Sequence, residues 1–164
     1  MILKHALDSW DGKSTADLAK IYAVHCDDAG FVDALLSCCL SDSHQRGATW
    51  LLNHHLANDH PLSPQQTSTL LSGLAVLTDW QARLHVLQSL PHLHIQAGQE
   101  TAVEHFLRAN LADSNKFVRA WAYSGFYQLG QQYPDYADEA EGFLDMALRD
   151  EAPAVKARIR QLRR

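Results

Sequence analysis

Four basic residues, Arg46, Arg83, Arg119 and Lys156, recur at intervals of 37, 36 and 37 residues, each inside the same helical pattern. The position before each reads Gln45, Ala82, Val118 and Val155; three after it come Thr49, Val86, Ala122 and Ile159. Six after it are Leu52, Ser89, Gly125 and Leu162, and ten after it Leu56, Leu93 and Leu129. At roughly 100° per residue these offsets share one narrow sector, the buried stripe of an amphipathic helix. A period of this length belongs to helix pairs stacked side by side, each burying its apolar faces only against its neighbours.

A second apolar stripe precedes each of these helices, so the unit is a helical hairpin. The stripes run Val32, Leu35, Leu36, Cys39, Leu40; Leu70, Leu71, Leu74, Leu77; Val103, Phe106, Leu107, Leu111; and Phe143, Leu144, Ala147, Leu148. Boundary chemistry agrees: Ser63, Pro64 and Gln66 make a capping box with proline at the first helical position, Thr78 and Gln81 make a second box, and Pro134 separates the third unit from the fourth. Ser14 and Asp17 open a helix bearing Leu18, Ile21, Tyr22 and His25, with Met1 to Leu7 as its short partner. The reading is one all-α domain over 1–164: a degenerate capping unit at 1–28 and repeats at 30–60, 63–95, 99–133 and 135–164.

The segments "DWQARLHVLQSLPHL" (79–93) and "DSNKFVRAWAYSGFYQL" (113–129) resemble the second helices of the HEAT-repeat superfamily, which open with an acidic residue followed by an apolar-basic pair. Asp42, Asp79, Asp113 and Asp150 stand where that acid would be. The likeness spans residues 30 to 164 and implies a right-handed α-α superhelix of about four to five hairpins. It speaks for fold, not activity. The acids also suggest a ladder in which Arg46, Arg83 and Arg119 pair with the aspartates that precede them.

At 164 residues the chain buries a repeat core without disulfides or metal. No apolar run is long enough to span a bilayer, and the start "MILKHALDSW" lacks the apolar stretch of a secretory signal. Three cysteines, two of them adjacent at 38 and 39, make no framework, which reads as a reducing, cytoplasmic setting. The formal net charge is -5, but residues 156 to 164 hold Lys156, Arg158, Arg160, Arg163 and Arg164 and no acid. Residues 1 to 155 thus carry nine basic residues against nineteen acidic ones, a net of -10. Cations suit a helix C-terminus, and such a helix can cap a repeat edge. A phosphate contact is the alternative, opposed by the acidic body.

The offsets away from the buried stripe define a concave face. They give Trp50, Leu87, Tyr123 and Arg160 at plus four, Leu51 at plus five, and His54, Tyr127 and Arg164 at plus eight. Aromatic anchors with basic residues at one end suit a protein or peptide partner. Packing of Trp50 and Tyr123 between repeats is the competing account. The ten histidines, densest at His54, His55 and His60 and at His92 and His94, have no carboxylate or cysteine at diagnostic metal spacing. No glycine-rich phosphate loop, Gly-x-Ser-x-Gly elbow or other catalytic motif appears, so no catalytic residue, metal or cofactor is assigned.

The resulting reading is a non-enzymatic protein-binding or scaffolding module, with homodimerisation end to end open to it. Second is a nucleic-acid binder similar to the HEAT-like glycosylases of alkylated DNA, which use a concave basic groove with aromatic residues and an aspartate; this chain has Trp50, Trp80, Trp121 and several aspartates but is shorter and acidic overall. The charge distribution predicts no measurable binding to random duplex DNA in a titration from low to high salt; tight, strongly salt-dependent binding would reverse the order of the two readings.

Overall fold

The computed structural model describes residues 2–164, and Met1 lies outside the described residues. The chain is all-α, with no strand among the described residues. The described residues form ten α-helices: α1 (Ile2–Asp8), α2 (Thr15–His25), α3 (Phe31–Cys39), α4 (Gln45–Ala57), α5 (Pro64–Ser72), α6 (Trp80–Ser89), α7 (Glu100–Leu111), α8 (Lys116–Gln132), α9 (Ala137–Asp150) and α10 (Pro153–Leu162). Contacts gather into two compact units, Met1–Leu93 and His94–Arg164.

In the first unit, α1, α3 and α5 pack in one layer and α2, α4 and α6 in the other, with α4 in contact with α2, α3 and α6. In the second unit α8 is central and packs on α7, α9 and α10. The repeating offsets do face the interior: Thr49, Val86, Ala122 and Ile159 are fully buried, as are Leu52, Leu129, Ala82, Val118 and Val155.

Local chemistry sets the ends. Ser14 accepts from the Asp17 amide, and Ser63 and Gln66 form a reciprocal capping box with Pro64 inside the first turn. The second expected box is corrected: Asp79, not Thr78, caps α6, its carboxylate accepting from the amides of Gln81 and Ala82. A charged acceptor at the positive end of a helix outcompetes a neutral hydroxyl one residue earlier. α5 is shorter than its apolar stripe. Gly73 ends it, and Leu74 and Leu77 are buried from a 3-10 turn (Leu74–Val76) and the residue that follows.

Arg46 and Arg119 take carboxylate partners that lie forward in the chain. Arg46 donates from Nε and Nη2 to Asp79 (3.0 and 2.7 Å), and Arg119 donates from Nε to Glu151 (2.9 Å). Asp79 caps the following second helix and Glu151 stands just before the N-cap of α10, 33 and 32 residues on, while Arg119 also reaches back from Nη1 to the carbonyls of Asp113 and Ser114 (3.0 and 3.2 Å). Beside Arg46, buried Gln45 accepts from the amides of Thr78 and Asp79 (both 2.8 Å) and donates to the Val76 carbonyl (3.4 Å). One helix start thereby fixes the turn that launches the next.

α4 closes in a Schellman motif: the His60 amide donates to His55 O (3.3 Å), the Asp59 amide to Leu56 O (3.1 Å), and Asp59 takes φ +63°. That left-handed conformation penalises a residue with a Cβ. Asp59→Gly is expected to stabilise the protein by about 0.5–1 kcal/mol in urea unfolding.

Candidate functional site

The loop between α1 and α2 builds one wall of a cleft in the first unit. Asp11 accepts from the amides of Lys13 and Ser14 (both 2.8 Å), which hold its carboxyl below the usual range, and Gly12 supplies the positive φ of the turn. The Trp10 indole donates to Ser14 O (2.8 Å), locking the ring over α4. Gly47 of α4 permits this: a Cβ there would stand 3.1 Å from both the Leu7 and Trp10 side chains.

Opposite stands Trp50, half-buried and stacked on His54 one turn later (5.0 Å between centroids, 12° between planes). The cleft that Trp10 and Trp50 line has a volume of about 320 Å³; Lys13, Arg46, Gln81 and His85 complete its polar wall and Leu18 its apolar one. A second basin of about 350 Å³ adjoins it, sharing Trp10, Gly12 and Arg46. Its carboxylates are Asp8, Asp42 and Asp79.

The polar groups of this region are held firmly. The Thr49 hydroxyl donates to Gln45 O (2.7 Å), so its oxygen accepts from His85 Nδ1, 3.0 Å away. Burial drives the His85 pKa down to about 4. Buried His44 pairs through Nε2 with Asp8 (2.5 Å), a hydrogen bond that lowers the Asp8 pKa. Asp79 is held low against its own burial by Arg46 and the two amides it caps.

The residues expected on a concave face divide. Trp50 lines the cleft and His54 supports it, meeting Tyr22 edge-on as well (4.7 Å, 77°). Leu51 and Leu87 are fully buried, and Tyr123 is 6% exposed; the expectation that they face solvent is corrected. For Leu51 and Tyr123 the reason is packing: α4 and α8 each meet three other helices, so their apolar sectors extend beyond one stripe. Tyr123 and half-buried Tyr127 belong to the second unit's core with Leu144, Val155 and Ile159. Arg160 and Arg164 are exposed on and just beyond α10. Their neighbours have structural partners: Arg163 donates to Glu141 and Asp145 (2.6 and 2.9 Å), and Arg158 lies 3.8 Å over Trp121 while donating to Ser124 (2.8 Å).

Trp10, Lys13 and His85 were not among the expected site residues. Trp10 lies in a loop outside the repeat register, although its Trp-Asp-Gly context is a turn signal. His85 occupies offset plus two, between the inner and outer sectors.

The histidine cluster at the end of α4 is an aromatic seam. His55 is 2.9 Å from the Tyr22 hydroxyl, its pKa lowered by burial, and His60 stacks on it (5.0 Å, 22°). Among the described residues no group of three or more His, Cys, Asp or Glu could hold a metal ion, and no helix is long and apolar enough to cross a membrane. No protein-family model matches the chain, and no curated protein or solved structure matches it.

A neutral buried His85 has a definite pH signature. With its native pKa near 4, below the value near 6.5 of an unfolded chain, the native state binds fewer protons between them, so stability is complete above that window and falls as pH drops through it. Urea unfolding at pH 7 and pH 5 is expected to show about 1–2 kcal/mol more loss for the natural protein than for His85→Gln.

Proposed function

We propose that this chain is a non-enzymatic protein-binding module, a HEAT-like helical solenoid of the cytoplasm, and that the Trp10–Trp50 cleft receives a peptide segment of its partner. The forward pairing supports the solenoid reading, because Arg46 and Arg119 occupy the same repeat position and take the same kind of acceptor. The cysteines at 26, 38 and 39 are free thiols, as a reducing compartment favours.

The observation that carries the binding proposal is the cleft itself. Two tryptophans offer broad, rigid apolar surface at small entropic cost, and charged and amide side chains at the margin give direction to a ligand's backbone. A peptide lying across helices anchors by one or two such side chains while the remainder excludes water. Nucleic acid ranks second because the adjoining basin carries three carboxylates.

Random peptides displayed on phage and selected on the immobilised protein test this. Selected sequences are expected to lose about ten-fold in affinity on Trp50→Ala, and as much on Lys13→Glu for those with acidic groups near that margin. Trp50→Ala keeps a cooperative unfolding transition, whereas Tyr123→Ala, a core truncation, costs about 3–5 kcal/mol. Selections that return no peptide dependent on Trp10 or Trp50 overturn the proposal.

A further inference from the structure

We infer that the segment bound in this cleft is basic: it places an apolar side chain between Trp10 and Trp50 and a lysine or arginine in the adjoining basin lined by Asp8 and Asp42. This rests on the peptide-binding reading above and adds the chemistry of the occupant.

The two basins share Trp10, Gly12 and Arg46 as a common wall but differ in charge. The first holds both tryptophans and no carboxylate. The second holds Asp8, Asp42 and Asp79 against one guanidinium, that of Arg46, and the imidazole of His44; Arg46 already spends two hydrogen bonds on Asp79, and His44 one on Asp8. Asp8 is ionised well below neutral pH through its hydrogen bond from His44. Asp42 is exposed, and its carboxylate has no partner among the described residues. Asp42 is therefore left facing a basin of about 350 Å³ without a partner, beside Asp8, whose carboxylate is held by His44. An ammonium or guanidinium entering there keeps part of its hydration and gains both charges, whereas an acidic side chain meets like charge.

The wider field has the same sign. Residues 1–93 carry nine aspartates and no glutamate against five lysines and arginines, which steers cations toward the first unit. Separation along the chain follows from the shared wall: side chains of one extended peptide that flank Trp10 can enter both basins at once, so a basic and an apolar residue near each other in sequence are the recognition unit.

The selected peptides provide the test. Sequences retained by the natural protein are expected to be enriched in Lys and Arg and depleted in Asp and Glu relative to the input library. Synthetic copies carrying a fluorescein label should weaken by about three- to five-fold on Asp42→Asn, the size typical of an exposed ion pair, and lose that difference in 0.5 M NaCl. Asp42 has no structural partner, so its substitution leaves folding intact; an unchanged urea midpoint verifies this. Peptides that are neutral or acidic yet still require Trp50 overturn this inference and leave the binding proposal standing. Self-association that disappears with Trp50→Ala, which would make a second copy the occupant, overturns it as well. Failure of the binding proposal itself looks different: no selected sequence of any charge depends on Trp10 or Trp50.

Discussion

A guanidinium that reaches forward to the carboxylate opening the next helix is the contact on which the layering depends. In the first unit Asp79 caps α6 through the amides of Gln81 and Ala82 and also receives Arg46, while Gln45 holds the amides of Thr78 and Asp79 itself. An exposed ion pair adds little stability on its own. Its effect here is geometric: the start of α6 is referred directly to the start of α4, and two helices so aligned present matching apolar sectors, with Leu51, Leu52, Val86 and Leu87 all withdrawn from water. Arg119 and Glu151 link α8 to the residue before the α10 N-cap by a like ion pair, more deeply shielded from solvent, though Glu151 caps no helix. Because Asp79 and Arg46 also border the second basin, the same contact that orders the layers shapes the cleft.

The inner half of each helix was legible in the sequence because burial there obeys a strict period. Thr49, Val86, Ala122 and Ile159 show it without exception, and even the polar members of the stripe, Thr49 and Ser89, return their hydroxyl hydrogens to carbonyls four residues back. The outer half was not, since periodicity reports one contact direction and α4 and α8 have three. Leu51 and Tyr123 look outward on a single helix drawn alone and lie inside once the neighbouring helices are added. Trp10 escaped for a different reason: it works from a loop, where no period operates and position follows from the hydrogen bonds of Asp11 and Ser14.

Several polar side chains inside the first unit are held by neutral partners rather than by opposite charge. His85 leans on a threonine hydroxyl and His55 on the Tyr22 hydroxyl, and His60 is brought over His55 by the left-handed turn at Asp59. Such pairs cost less desolvation than buried ions and keep direction, so the aromatic seam of Tyr22, Phe31 and His55 can pack as part of the core. Its histidines serve as rigid, polar-edged rings.

Gly47 gives the cleft a property that none of its lining residues has. The glycine touches no ligand space, yet its missing Cβ is what allows the Trp10 ring and Leu7 to rest against α4. A methyl group at that point would push the Trp10 wall outward by a few tenths of an ångström and leave the Trp50 wall unmoved. The width of the cleft is therefore set from behind, by the backbone of the helix that carries the opposite wall, and the shape of its occupant can be tuned at a position that the occupant never meets.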